Sequence, residues 1–155
     1  MSPLQWHLFH ASAQALALFS ATYGTQPELP VLTADTSVAI DGLILGKPDN
    51  HAHAVEMLRM LSGRSHQVIS AVVLWHQGQR SQATQVSDVT FRPLTEAEIQ
   101  AYVNSGEADD KAGAYGIQGA AAVFIEHLSG SFSGVMGLPL FETAALLHSI
   151  GLTQP

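Results

Sequence analysis

Residues 34–48 read ADTSVAIDGLILGKP, and the alternation in and around them decides the fold. Val31, Leu32, Val38 and Ile40 predict a buried strand, Asp41 and Gly42 supply the positive-φ pair of a tight turn, and Leu43, Ile44 and Leu45 return. That hairpin is expected to hold Asp35 and Lys47 at the same end of a sheet. A carboxylate and an ammonium so placed can serve a metal–phosphate group. The carboxylate takes the cation or activates water, and the ammonium meets phosphate oxygens as a point charge. The same residues also allow an ordinary hairpin closed by one surface ion pair.

Upstream, WHLFHASAQALALF (6–19) is Ala-rich and repeats apolar residues at helical spacing, with Ser2 and Pro3 as cap and first-turn residues, so a helix is expected over Leu4–Phe19. His7 and His10 could share a face of it, but no third ligand lies nearby in sequence. Downstream, Pro48 and Asp49 open a helix to about Leu61, with Gly63 as its stop. His51 and His53 on that helix point to different sides. SHQVISAVVLW (65–75) is a β-branched run turned back by Gln77, Gly78 and Gln79 into Ser81–Phe91. Thr95 and Glu98 form a capping box for a helix to Val103. Ala122–Leu128 and Phe132–Met136 are expected to pair as a last hairpin across Ser129 and Gly130, before a final helix, Phe141–Ile150. Helices alternating with hairpins give an α/β class with a mixed β-sheet and flanking helices, one domain over 1–155.

The chain has 155 residues, 46% hydrophobic and 12% charged, enough for a real core and too apolar for disorder. Cysteine is absent, which excludes a disulfide framework and a thiolate metal site. No apolar run is long enough to span a membrane and no basic leader precedes the first apolar stretch, so no membrane association and a cytoplasmic protein are expected. The net charge of −7 argues against nucleic acid as partner. The six bases are Lys47, Arg59, Arg64, Arg80, Arg92 and Lys111, none of them in the first 46 residues. SGEADDKAGAYGIQG (105–119) has four glycines. Such a loop lets backbone approach a ligand, with Lys111 and Gln118 as the polar groups it could present, or it serves as a plain connection.

Three segments in this order, ADTSVAIDGLILGKP, MLRMLSGRSHQV and DKAGAYGIQGAAAVFIEHLSGSFSGVMGLPLFET, resemble the Maf family of nucleoside triphosphate pyrophosphatases. The resemblance runs from about residue 8 to the C-terminus. It implies a Maf/ITPase-like two-lobed fold, usually a homodimer, that hydrolyses a nucleoside triphosphate to monophosphate and pyrophosphate with a divalent cation, Mg²⁺ or Mn²⁺. It further implies Asp35 as proton acceptor and metal ligand, with Lys47 on the phosphates. Thr36 and Gln118 match positions that mark the branch preferring dTTP and UTP, with modified nucleotides as a possible extension. An amide such as Gln118 offers a donor and an acceptor together, as the edge of a uracil or thymine ring requires.

Against that pattern, the sequence lacks the family's opening strand and S-x-x-R loop, and Gln14 stands where a helix lysine is expected. Each charge-assisted phosphate contact contributes about 1.5–3 kcal/mol, so a second expectation stays open: a degenerate Maf-like paralogue that binds nucleotide weakly or acts through partners. A third, from the eight histidines, is a metal-binding protein.

Overall fold

The computed structural model describes residues 29–152. The helix expected over Leu4–Phe19, with His7, His10 and Gln14, lies outside them. The described strands are β1 (Val31–Ile40), β2 (Leu43–Leu45), β3 (Ser65–His76), β4 (Gln79–Phe91) and β5 (Ile125–Ser129). They form one sheet in the order β2-β1-β3-β4-β5. Asp41 (φ 52°) with Gly42 (φ 77°) and Gln77 (φ 49°) with Gly78 (φ 75°) make the two tight turns, each with the left-handed pair that matches strand twist.

The α/β class with flanking helices holds, but every described strand pairing is antiparallel rather than mixed. The cause is connectivity. Helix α1 (His51–Leu61) carries the chain from β2 to β3, and β1 lies between those two strands, antiparallel to both. β3 is buried along both faces, as a central strand should be, which explains its unbroken apolar run. Its even-numbered side carries the main core. There Val38, Ile40, Val68 and Phe91 meet Leu58 and Leu61 of α1 and Ile99 and Val103 of α2 (Glu96–Asn104).

The expected last hairpin does not form. Phe132–Met136 is a short helix, α3, and β5 pairs with β4 instead, placing Asp88 opposite Ser129 and Val89 opposite Leu128. The residues just ahead of β5, Ala120–Phe124, wind as a 3₁₀ turn. Gly130 is there for close approach rather than for a hairpin: a Cβ on it would lie 2.5 Å from Ser87 Oγ. Ser131, held by its N–H to Ser87 Oγ at 2.9 Å, then caps α3 by accepting from Gly134 N–H at 3.0 Å. Helix α4 (Leu140–Ser149) comes next, and Gly151 (φ 84°) lies just beyond its end.

The capping box at Thr95 forms as expected, with Glu98 Oε2 accepting the Thr95 N–H at 2.8 Å and Thr95 Oγ1 accepting the Glu98 N–H at 3.3 Å. Arg92 also donates to Glu98, at 2.7 Å, and to Val123 O at 2.9 Å, which ties α2 to the approach to β5. The Arg92 guanidinium, then the Thr95 donors, hold the Glu98 carboxyl down at about 2. Replacing Thr95 with alanine removes the side-chain half of this cap. The Thr95→Ala variant should lose about 1 kcal/mol, read as a lower urea midpoint at unchanged slope.

Candidate functional site

β1 is ten residues long and β2 only three, so the hairpin register that pairs Val38 with Leu45 stops there. Continuing it would bring Lys47 opposite Thr36, but Pro48 cannot donate to a ladder and Gly46 is already engaged elsewhere. Its carbonyl accepts the N–H of Gly113 at 3.1 Å. This bond draws the glycine-rich loop against β1. Gly113 (φ 67°) has to be glycine, because a Cβ would sit 2.7 Å from Val38 Cγ2.

The result is a cavity of about 370 Å³ lined by Thr36, Lys47, Lys111, Gln118, Tyr115 and Met136 among others. Four of the five residues singled out from the sequence therefore meet at one place. Asp35, the fifth, is not among the lining residues. It sits within β1, opposite Ala71 of β3, rather than at a strand end. Neighbouring residues on a strand point to opposite faces, so Thr36 takes the cavity side. The Asp35 carboxylate nonetheless accepts the N–H of Thr36 at 3.0 Å, which keeps it beside the residue that does line the cavity.

Both lysines of the chain line this cavity. Three of the four arginines are engaged elsewhere: Arg59 with Glu96, Arg92 with Glu98, and Arg64 with both oxygens of Asp41 at 2.6 and 2.8 Å. Lys111 Nζ donates to Asp110 Oδ1 at 2.6 Å. That bond, with the weaker field of Lys47 added, holds the Asp110 carboxyl below the usual carboxylate range. The lysines thus face a single exposed carboxylate on the rim. Asp110 drew no attention in the sequence, where it is one of two adjacent aspartates whose separate partners only the fold reveals. His51 faces the other, Asp109, at 3.4 Å, and His53 faces Asp49 at 3.1 Å.

Apart from Thr36, the far wall is made by residues with no sequence signal of their own. Thr36 Oγ1 and Ser70 Oγ lie 2.6 Å apart, and Ser70 donates to Gly134 O of α3, which places Val135 and Met136 at the cavity. Tyr115 is backed by His66, whose Nε2 lies 2.7 Å from the Tyr115 hydroxyl, with Phe91 edge-on to both rings. Burial pushes the Tyr115 hydroxyl pKa up and the His66 imidazole down to about 4.

Among the described residues, no three His, Asp or Glu side chains gather as a metal cluster, and no helix is long and apolar enough to cross a membrane. The carboxylates at hand are Asp35, beside the cavity, and Asp110, on its rim. A Mg²⁺-like ion is commonly held by one or two carboxylates together with substrate phosphates. The donor set fits a cation that arrives with a phosphorylated ligand.

An antiparallel sheet whose mouth gathers two lysines, a glycine-rich loop and an exposed amide defines an α/β protein with a cationic, loop-lined ligand cavity. The chain belongs to the Maf family: the model of that family, described as Maf-like protein, matches residues 4–150. It is 50% identical over 141 residues to a dTTP/UTP pyrophosphatase of Neisseria meningitidis serogroup B, covering 91% of this chain and 70% of that protein. A dTTP/UTP pyrophosphatase of Bordetella parapertussis is 54% identical over 129 residues, 83% of this chain and 62% of that one. A nucleoside triphosphate pyrophosphatase of Haemophilus ducreyi is 57% identical over 125 residues, 81% of this chain and 64% of that one.

The buried His66 behind the cavity makes stability depend on pH. Above pH 6.5 it is neutral folded and unfolded, and contributes nothing. Below that the unfolded chain binds the proton while the folded chain refuses it down to about pH 4, so stability falls as pH falls through this window. The loss at pH 5 should be about 2 kcal/mol relative to pH 7. Urea unfolding at the two pH values measures it, and a His66→Gln variant should show a flatter dependence.

Proposed function

We propose that this chain is a nucleoside triphosphate pyrophosphatase acting on dTTP and UTP. The observation that carries the proposal is the convergence of Lys47, Lys111 and the Gln118 amide on one cavity of about 370 Å³, a volume within the range of small-molecule sites. The names of the relatives point the same way. Each lysine offers up to three donors to a polyphosphate, and in a chain of net charge −7 both lysines line this one cavity. The incoming phosphates would compete with Asp110 for Lys111. Gln118 would pair its N–H with a ring carbonyl and its carbonyl with the ring N–H of uracil or thymine. Thr36, hydrogen-bonded to Ser70 and to Gly137 O, would form a fixed floor beneath the ligand.

In this scheme Asp35, which lies beside the cavity rather than in its lining, would turn toward the ligand and take the proton from a water that attacks the α-phosphorus. A new P–O bond forms, the bond from that phosphorus to the bridging oxygen breaks, and pyrophosphate leaves while the monophosphate stays on the Gln118 side. A divalent cation held by Asp35 and the phosphate oxygens would neutralise the charge developing on them. The proposal extends to a homodimer in the cytoplasm, as the sequence resemblance implied, and sedimentation velocity tests the dimer.

An Asp35→Asn change keeps the shape and removes both basicity and charge. It should lower turnover of dTTP at least about 100-fold, with pyrophosphate release as the readout, and excess EDTA should abolish turnover of the unmutated protein. Unchanged turnover in either case overturns that role.

Base choice gives an independent test. UTP or dTTP with Mg²⁺ should raise the thermal midpoint more than ATP or GTP at equal concentration, because a ligand that binds only the folded state stabilises it. Gln118→Ala should erase the difference and leave a smaller shift common to all triphosphates. Equal shifts for all four in the unmutated protein show that the cavity does not read the base.

A further inference from the structure

Gln118 is exposed on a turn whose two ends are held by one side chain. On the far side of the turn, the N–H of Ala120 donates to Glu107 Oε2 at 3.1 Å. On the near side, the N–H of Gly116 donates to the Tyr102 hydroxyl at 3.3 Å, and that hydroxyl donates to Glu107 Oε1 at 3.0 Å. Gly119 N–H closes the turn onto Gly116 O at 3.1 Å. One carboxylate thus reaches both flanks of Gln118, directly on one and through a phenol on the other.

The fit around this carboxylate is close. A side chain on Gly119 would occupy the space of the Glu107 carboxylate, and Tyr102 is 5% exposed, so its hydroxyl has little access to water as a substitute partner. At the other glycine of the turn, a Cβ on Gly116 would sit 3.3 Å from Lys111 Cε and 3.6 Å from Gln118 Oε1. The bare Gly116 backbone is therefore where the lysine stem and the amide converge.

From this geometry we infer that Glu107, acting with Tyr102, is a positioning residue that sets the orientation of Gln118 and with it the base discrimination of the cavity, given that Gln118 reads the base. An amide on a loose turn can swing away from any one ring edge and so reads it weakly. Locking the backbone on both sides fixes where its side chain starts and how far its donor and acceptor reach. A carboxylate suits the task because each of its two oxygens accepts from one of the two donors. Glutamine in its place would turn an NH₂ toward one of them.

Equilibrium binding to the full chain in EDTA, by titration calorimetry, tests this without turnover. Dissociation constants are measured for UTP, GTP and inorganic tripolyphosphate. Glu107→Gln should bring the UTP-to-GTP ratio about three- to tenfold closer to one, the worth of one hydrogen bond, and leave tripolyphosphate binding unchanged. Tyr102→Phe, which removes only the hydroxyl, should move the ratio the same way and serves alone if Glu107→Gln does not fold. In a Gln118→Ala background neither change should have a further effect. A ratio that survives both variants while Gln118→Ala abolishes it overturns the positioning role and leaves the base reader standing. A ratio untouched by Gln118→Ala overturns the base-reading assignment, and the role of Glu107 falls with it. Parallel weakening of UTP, GTP and tripolyphosphate would mean that Glu107 merely supports the fold, and that too overturns the inference.

Discussion

Gly113 lies with its Cα against the side chain of Val38 and gives its N–H to the carbonyl of Gly46 at 3.1 Å. The whole cavity depends on that contact between segments far apart in the chain. It stops β2 short of the length of β1, frees the edge of β1 beside Thr36, and holds the 105–119 loop over the opening. The approach is possible only without a Cβ at residue 113, so the glycine acts through packing as much as through its left-handed φ of 67°.

Charge placement depends on the same contact. A chain with 13 acids and 6 bases cannot present a broad cationic face, and its described arginines mostly face carboxylates at the surface. Exposed pairs of that kind contribute little to stability, typically below about 1 kcal/mol. Lys47 and Lys111 come together only because the loop is drawn onto β1. Asp110 offsets part of their mutual repulsion and is displaceable, since it lies on the exposed rim rather than within the core.

The wall behind the cavity is of a different kind. His66, Tyr115 and Phe91 are buried, and the imidazole there is neutral because protonating it would place a charge away from water. The hydroxyl of Tyr115 finds its partner in that neutral ring, as a buried phenol requires. On the opposite side, Ser70 links the central strand to α3 through a backbone carbonyl. These two sides back the cavity, and the Glu107 carboxylate spans the segment of the glycine-rich loop that carries Gln118.

The sequence by itself determined the first two hairpins, helices α1, α2 and α4, and the family. Their signals are local: β-strand alternation around an Asp-Gly turn, a β-branched run before Gln-Gly, a Thr-x-x-Glu cap, and motifs of fixed order and spacing. It also named Lys47, Lys111 and Gln118, because lysines and an amide among glycines are rare enough to stand out, and Thr36 through the family resemblance alone. Only the tertiary structure decided which of these meet. Asp35 was read at a strand end and lies within β1, since nothing in the hairpin itself says that β2 stops after three residues. Phe132–Met136 was read as a strand and is a helix, because Gly130 answers to Ser87 on a distant strand and Ser131 caps α3. Glu107 and Tyr102 carry no motif at all. Their roles arise from hydrogen bonds across a folded loop, and a linear pattern cannot encode a contact that exists only once the backbone has closed.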